Sequence, residues 1–259
     1  MSFNNKVVLV TGASKGIGAA ISIKFSTEKA SVILISRNEE KLQEVAQKCK
    51  DVGGNPLVIA ADLTVDDDVE RAIKTSIEHF GRLDVLINNA GFAASESILS
   101  KNALKVFDNI MALNLRAHVL VTHLTAPYLI DTKGCIVNIS SIASTVICFR
   151  IHSQYSTSKA GLDAFTRSIA IELAPYGVRV NSVNPGPVKS DFMERMGLNE
   201  EQKKQLWDTL VKGTALNNII EPCEVGDLVL FLSSDKAKSI TGSSYVIDSG
   251  VLLKGMIDA

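Results

Sequence analysis

The feature that most constrains the fold is a regular alternation, along the whole chain, between short apolar segments and longer amphipathic ones. The short segments are rich in β-branched residues and lie at 6–10, 31–36, 56–60, 84–88, 135–140, 178–183 and 244–248. Several are apolar at nearly every position, which is typical of parallel strands buried on both faces. The intervening helical patterns lie at about 17–29, 38–51, 66–80, 102–130, 155–175, 200–211 and 224–234. The alternation predicts a doubly wound parallel α/β sheet.

The same rhythm predicts a single domain over residues 1–259. That length is within the range that one hydrophobic core can serve, and no segment resembles a linker or a repeat. The longest interruption covers 184–223, which opens with the sequence NPGPVKS. We expect most of this interruption, about 190–222, to form a lid over the functional site.

Composition excludes several classes of function. A net charge of −1 gives no electrostatic basis for binding nucleic acid or an anionic membrane. No apolar run reaches the roughly 18 residues that a membrane span needs, and no secretory signal is visible. The four cysteines are scattered and the four histidines do not cluster. We therefore expect reduced thiols, no metal and a cytoplasmic protein.

Three glycines follow the first predicted strand in the sequence TGASKGIG. Gly12, Gly16 and Gly18 occupy the turn between this strand and the first helix. Glycines also suit an ordinary tight turn. Their position before a helix N-terminus, however, lets the backbone approach a pyrophosphate, which the free N–H groups and the helix dipole stabilise. The strand–turn–helix context predicts nucleotide binding.

The end of the second strand indicates which nucleotide is bound. NAD-binding sheets usually carry an acid there, which accepts a hydrogen bond from the ribose 2′-hydroxyl. This chain has Ser36, Arg37 and Asn38 instead, and Lys15 lies in the glycine turn. Either cation alone could be an ordinary surface charge. Together, and with the acid missing, they favour the 2′-phosphate of NADP(H).

Taken with these features, the order of further motifs makes the chain resemble the short-chain dehydrogenase/reductase family. The motifs are ADL at 61–63, NNAG at 88–91, Asn114, VNISS at 137–141, YSTSK at 155–159, NPGPVKS at 184–190 and ITGSSYVIDSG at 240–250. The resemblance covers essentially the whole chain. It implies a Rossmann-type sheet of seven strands in the order 3-2-1-4-5-6-7, a small carbonyl or alcohol substrate and a homotetramer.

The resemblance also assigns further residues to the cofactor. Ser14 and Ile17 complete the glycine turn. Asp62 is expected to bind the adenine amino group, with Leu63 beside the ring. Asn89, Ala90 and Gly91 would flank the adenosine. The nicotinamide carboxamide would be held by Pro185, Gly186, Val188 and Ser190, although related chains usually have threonine at the position of Ser190.

Tyr155 and Lys159 could be no more than neighbours on a helix surface. The other motifs favour chemistry. A phenol with a pKa of about 10 is a poor acid or base near neutrality, and a cation one helical turn away lowers that pKa. By resemblance, Lys159 also binds the nicotinamide ribose, and Asn114 anchors a water that links Lys159 to solvent. Ser141 would donate a hydrogen bond to the substrate oxygen as charge develops there.

The choice of serine is complicated by spacing. Ser141 precedes Tyr155 by 14 positions, one more than related enzymes often show. Ser140 is the alternative, but alternation along a strand should direct its side chain to the opposite face. We therefore predict that Ser141 is the catalytic serine and that the following loop absorbs the extra residue.

Candidate substrate-binding segments are mostly apolar, at 92–98, 142–152 and 190–222. They contain Phe92, Ile142, Val146, Ile147, Phe149, Phe192, Met193, Met196, Leu206, Trp207 and Leu210. Many could simply pack the lid onto the sheet, but the scarcity of charge favours a lipophilic or small uncharged carbonyl. A 3-oxoacyl-carrier-protein reductase remains an alternative, although Tyr176 stands where bacterial enzymes of that kind often carry a basic residue. A non-catalytic NADPH sensor and a redox-neutral epimerase or dehydratase are less favoured.

Two helical segments carry more apolar residues than one sheet face should bury. The residues are Leu104, Val106, Phe107, Ile110, Leu113, Leu162, Phe165 and Ile169. Together with the C-terminal segment VLLKGMIDA, they predict contacts between subunits and therefore an oligomer.

Overall fold

The computed structural model describes residues 2–147, 151–189 and 199–254. Its strands are β1 (Val7–Thr11), β2 (Ser31–Ser36), β3 (Asn55–Ala60), β4 (Val85–Asn88), β5 (Cys135–Ile139), β6 (Arg179–Pro185) and β7 (Ser244–Ile247). They form one sheet in the order β3-β2-β1-β4-β5-β6-β7, and every pair is parallel. The predicted Rossmann-type fold and strand order are confirmed.

Helices cover both faces of this sheet. Their bounds are α1 (Gly16–Thr27), α2 (Glu39–Asp51), α3 (Asp66–Phe80), α4 (Ala103–Met111), α5 (Ala117–Thr132), α6 (Ser153–Leu173), α7 (Glu200–Lys212), α8 (Pro222–Ser233) and α9 (Val251–Lys254). One core packs α1, α2 and α8 against the sheet, and the other packs α3, α5 and α6. The uninterrupted apolar strands are thus explained by burial on both sides.

The region predicted as one helix over 102–130 differs from that expectation. A π-helical turn at Ala112–Arg116 separates α4 from α5. Asn114 lies in this turn and is fully buried. A π turn adds a residue to the helical repeat, and such turns are frequent at functional sites. Apolar periodicity cannot reveal it, because the flanking helices continue in nearly the same pattern.

The structure also bears on the expectations about membrane spans, metal ligands, cysteines and the lid. No helix among the described residues has the length and apolar character needed to span a membrane. In the same part of the chain, no group of three or more histidine, cysteine or acidic side chains could hold a metal, and Cys49, Cys135 and Cys223 are free. Cys148 lies outside the described residues. The single domain and its lid stay predictions; α7 lies within the proposed lid.

Candidate active site

A cleft of about 250 Å³ lies where β1, β2, β4 and β5 end. It is lined by Gly12, Ser14, Lys15, Gly16, Ile17, Gly18, Ser36, Arg37, Ala61, Asp62, Leu63, Asn89, Ala90, Gly91, Phe92, Ala93, Leu113, Ile139, Ser140, Tyr155 and Lys159. The glycine turn forms one part of this wall, and the tyrosine–lysine pair forms another. Residues from distant parts of the sequence are therefore brought into one cavity.

The glycine turn has the geometry of a phosphate cradle. Gly12 and Gly16 have φ angles of +65° and +55°, and residues other than glycine rarely adopt such positive values. A Cβ at Gly18 would lie 2.3 Å from the Gly12 carbonyl oxygen, so no larger residue fits. The N-cap residue Lys15 makes no side-chain capping bond to the first turn of α1, and that turn contains no acid. The N–H groups of that turn suit an anion, and a dinucleotide pyrophosphate fits this site.

Thr11 braces the cradle against the neighbouring strand. Its hydroxyl oxygen accepts hydrogen bonds from the main-chain N–H groups of Asn89, at 2.9 Å, and Ala90, at 3.1 Å. The Asn89 amide in turn donates to the Thr11 carbonyl at 2.8 Å. These bonds fix the ends of β1 and β4 relative to each other, so the two cofactor-facing loops are held as one unit.

Polar side chains gather where the ribose is predicted to lie. Ser36 donates to Ser14 between hydroxyls 2.9 Å apart, and Arg37 Nη1 lies 3.7 Å from Asp62 Oδ2. Burial raises the pKa of Asp62, but hydrogen bonds from Thr64 and the charge of Arg37 outweigh burial and lower it. Arg37 remains 66% exposed, so its guanidinium is accessible to a ligand.

Lys159 and Tyr155 lie together at the opposite part of the cleft. The Lys159 side chain is buried, and its Nζ donates to the Ile139 carbonyl at 2.8 Å. The same nitrogen is 5.8 Å from the centroid of the Tyr155 ring. Burial lowers the pKa of Lys159 to about 8, and the negative charge of Asp163 opposes that decrease. A buried cation next to a phenol is the arrangement that eases proton transfer.

Asn114 ties the π turn to the cleft wall. Its amide nitrogen donates to the Phe92 carbonyl at 2.9 Å, and its amide oxygen accepts from the Phe92 N–H at 3.0 Å. The nitrogen also donates to the Ser158 hydroxyl at 3.2 Å. Asn114 does not line the cleft itself. It reaches the site through Gly91, where an added Cβ would lie 3.3 Å from Asn114 Oδ1 and 3.6 Å from Lys159 Nζ.

The two candidate serines do not lie where strand alternation predicted. Ser140 lines the cleft, and its hydroxyl donates to the Lys159 carbonyl at 3.3 Å. Ser141 begins a short 3₁₀ turn, Ile142–Ser144, and its hydroxyl oxygen accepts from the Ala143 N–H at 3.1 Å. Ser141 is half-buried and does not line the described cleft. The strand ends at Ile139, so its alternation does not extend to either serine.

Several predicted cofactor residues do not line this cleft. Among the described residues, Pro185, Gly186 and Val188 are outside its wall, and Ser190 lies outside the described part of the chain. The Gly186 N–H donates to the Ile247 carbonyl, and Val188 pairs with Ile220. Asn38 does not line the cleft either, and its side chain caps α2 by accepting from the Lys41 N–H at 2.8 Å.

Of the predicted substrate-binding residues, Phe92 alone among those described lines the cleft. Ile142 is buried in the core, whereas Val146 and Ile147 are exposed. Leu206, Trp207 and Leu210 are half-buried on α7. Phe149, Phe192, Met193 and Met196 lie outside the described residues.

His118 is a site residue that the sequence analysis missed. Its ring is buried and its Nε2 lies 2.7 Å from the Ala90 carbonyl oxygen. Burial, together with the charge of Lys159, lowers the pKa of His118 to about 3. The neutral ring must therefore carry its proton on Nε2 to donate this bond. His118 is four positions after Asn114, so the two residues are expected on the same side of a helix. This spacing is the sequence signal that could have identified His118.

Comparisons with known proteins agree with this architecture. Residues 12–252 match a family model described as enoyl-(acyl carrier protein) reductase. An uncharacterized oxidoreductase of Thermotoga maritima is 34% identical over 251 residues, which is 96% of this chain and 98% of that protein. Glucose 1-dehydrogenase 2 of Bacillus subtilis is 30% identical over 96% of this chain and 95% of its own length.

Solved structures show the same likeness. A short-chain dehydrogenase/reductase of unknown function from Caenorhabditis elegans, solved with cofactor, superposes with a TM-score of 0.92 at 33% identity. The alignment covers 97% of this chain and 96% of that one. A short-chain type dehydrogenase/reductase from Mycobacterium marinum gives 0.90 at 30% identity, covering 97% of each chain.

Proposed function

This chain belongs to the short-chain dehydrogenase/reductase family, and from that premise we propose that it is an NADPH-dependent carbonyl reductase. Membership makes it an oxidoreductase that acts on CH–OH groups with a nicotinamide cofactor. The observation that carries the proposal is the single cleft that joins the glycine turn, Arg37, Tyr155 and Lys159.

In this proposal Tyr155 is the general acid for ketone reduction. The cofactor, when bound, supplies the hydride. The Tyr155 hydroxyl supplies the proton to the carbonyl oxygen, and the nearby Lys159 charge stabilises the phenolate that remains. Ser141, which begins the turn directly after the cleft residue Ser140, keeps its predicted role of stabilising the developing charge on a substrate bound beside the cleft. Asn114 orders the wall behind Lys159 and anchors the water through which the proton is replaced.

The preference for NADPH is supported by the charges at the end of β2. Arg37 and Lys15 line the cleft, and Ser14 and Ser36 add hydroxyl donors beside them. A 2′-phosphate carries nearly two negative charges and accepts several charge-assisted hydrogen bonds. No residue of β2 is acidic, so the acceptor that NAD would use is missing there.

The substrate is proposed to be a lipophilic or small uncharged carbonyl compound. Phe92, Ala93 and Leu113 give the catalytic part of the cleft an apolar wall. Exposed Val146 and Ile147 follow the turn of Ser141. A sugar phosphate would meet few charged partners on these segments.

A substrate panel tests this function. Purified protein is supplied with NADPH or NADH and an aliphatic ketone, an aromatic ketone, a 3-oxoacyl thioester or an enoyl thioester, and with NAD⁺ or NADP⁺ and glucose. We expect cofactor oxidation to be fastest with NADPH and a lipophilic ketone.

The thioesters and glucose represent the activities named for the family model and for one relative. Faster turnover of a thioester or of glucose would replace the proposed substrate class. The absence of hydride transfer with every pair would instead favour a cofactor-sensing protein.

A further inference from the structure

Asp163 is a buried carboxylate to which the proposed chemistry gives no role. Asp163 is 5% exposed and lies on α6, one helical turn after Lys159. Its Oδ2 accepts from the Asn184 amide nitrogen at 2.8 Å. Its Oδ1 is buried without a hydrogen-bond partner among the described residues. Burying a carboxylate with an unsatisfied oxygen costs stability, which points to a function that offsets this cost.

Asn184 connects Asp163 to the turn that carries Ser141. The Asn184 amide nitrogen lies 3.2 Å from the Ser141 carbonyl and 3.1 Å from the Ser144 hydroxyl. The amide oxygen accepts from the Ser182 hydroxyl at 3.0 Å, which fixes the orientation of the amide. One side chain therefore links the carboxylate of Asp163 to the backbone of the catalytic serine.

Asp163 also acts on Lys159 through its charge. Burial lowers the pKa of Lys159 to about 8, and the Asp163 carboxylate limits the decrease. Two other titratable groups face this lysine from the described part of the chain. Tyr155 lies on the same helix. His118 lies on α5, and its pKa of about 3 leaves it neutral in the physiological range. The neutral His118 ring contributes no charge there, and Asp163 is the carboxylate whose charge acts on Lys159.

We propose that Asp163 is a positioning residue of the active site. Its carboxylate provides the fixed counter-charge for the Lys159 ammonium and, through Asn184, anchors the turn of Ser141. The inference deepens the proposed function, since it rests on Lys159 and Ser141 serving in the reaction. Asp163 does not line the cleft, so it would position other residues and would not contact substrate.

The first test needs neither cofactor nor substrate. Protein labelled with ¹³C at the lysine ε-carbon is titrated by NMR, and the Lys159 signal is assigned by its loss in Lys159→Arg. We expect Asp163→Asn to shift the Lys159 midpoint to lower pH by about one unit, because a unit charge in the protein interior is removed. Asparagine keeps the shape and can still accept from Asn184. Glu172→Gln removes an exposed carboxylate from the same helix and should leave the midpoint unchanged.

The second test measures turnover with the best NADPH and ketone pair from the substrate panel. The decrease of kcat at alkaline pH should move to lower pH in Asp163→Asn by the same amount as the Lys159 midpoint. The kcat at lower pH should change less than threefold. A uniform loss of kcat without a shift of the profile would mean that Asp163 is only structural, and an unchanged Lys159 midpoint would overturn the counter-charge role.

The two tests separate this inference from the proposed function. If the wild type reduces no carbonyl, the proposed function fails, yet the Lys159 titration can still be read. Circular dichroism first establishes that each variant is folded. If Asp163→Asn is unfolded, Asp163→Ala gives the same readout, because it removes the same charge and leaves the Asn184 amide with the Ser141 carbonyl and the Ser144 hydroxyl as acceptors.

Discussion

At the scale of residues, Tyr155 and Lys159 differ in how deeply they are buried. Both residues line the cleft, but Tyr155 is half-buried, whereas Lys159 is 4% exposed and its Nζ donates to the Ile139 carbonyl. The tyrosine can meet a substrate while the lysine acts on it from the protein side. We propose that this phenol and this ammonium, four residues apart, act as a pair because one is accessible and the other is desolvated.

Replacing Tyr155 with phenylalanine removes the proton donor and keeps the ring. We expect kcat to fall by at least about a hundredfold, the lower end of the usual contribution of a general acid. NADPH affinity, measured by fluorescence titration, should change less than threefold. Tyr176→Phe alters an exposed tyrosine and is the matched control. Near-normal turnover by Tyr155→Phe would remove this residue from the mechanism.

Replacing Arg37 with aspartate should reverse the cofactor preference. Charge-assisted hydrogen bonds contribute roughly 1.5–3 kcal/mol each, so losing Arg37 should weaken NADPH binding about ten- to a hundredfold. The new carboxylate repels the 2′-phosphate and can accept from a 2′-hydroxyl. The measurement is kcat/KM for both cofactors. Arg167→Asp, at an exposed position of α6, is the control. Unchanged selectivity would show that Arg37 is only a surface charge.

At the scale of elements, the π turn, α5 and α6 hold the polar groups of the site. The turn directs Asn114 onto Phe92 and Ser158. α5 brings the His118 ring to the Ala90 carbonyl, and α6 presents Lys159 to Ile139. These contacts join the loop after β4 to the π turn and α5, and they join α6 to the π turn and to the end of β5, so the geometry of the cleft depends on how the helices pack.

His118 should make stability depend on pH. Its folded-state pKa of about 3 lies below the ordinary value of 6.5, so the unfolded chain binds the proton more tightly. Stability from the neutral ring is complete above pH 6.5 and is lost as pH falls toward 3. Between pH 7.5 and 5 the free energy of unfolding should fall by about 2 kcal/mol through this residue.

Urea unfolding at both pH values measures this loss. His118→Gln removes the titration while keeping an N–H donor, so its decrease over the same interval should be smaller by about 2 kcal/mol. His123→Gln, an exposed position on the same helix, should behave as the wild type. An identical decrease in wild type and His118→Gln would contradict the assignment.

At the scale of the whole molecule, the predicted tetramer depends on apolar surface left uncovered by the chain. The structure reduces that surface: Ile110, Leu162 and Ile169 are buried in the chain's own core, which corrects their use as contact residues. Leu104 and Ile171 remain 75% and 77% exposed on α4 and α6. These two helices pack together, and we expect Leu104 and Ile171 to contribute to the contact between subunits.

Light scattering should therefore find a particle with four times the mass of the chain. Ile171→Glu places a charge in the proposed contact and should lower the mass by at least half, because a desolvated, unpaired charge opposes association. Leu216→Glu changes a residue of similar exposure outside α4 and α6 and serves as the control. A wild type that stays monomeric across a wide concentration range would refute the tetramer.

Sequence alone determined the features that local pattern controls. Period and composition predicted the seven strands, each to within two residues at either end. The glycine turn was recognisable because only glycine meets the backbone and space requirements at Gly12 and Gly18. Helical spacing placed Tyr155 and Lys159 on one side of a helix, although their assignment to the chemistry needed the other motifs. Each of these signals involves residues close together in the chain.

Only the tertiary structure decided which distant side chains meet. Asp163 and Asn184 are 21 positions apart, and His118 reaches Ala90 across 28. The orientations of Ser140 and Ser141 depend on packing between β5, β6 and α6. The π turn is held by the contacts of Asn114 with Phe92 and Ser158. No local period encodes such contacts, because burial and hydrogen bonding select them after the sheet and helices have assembled.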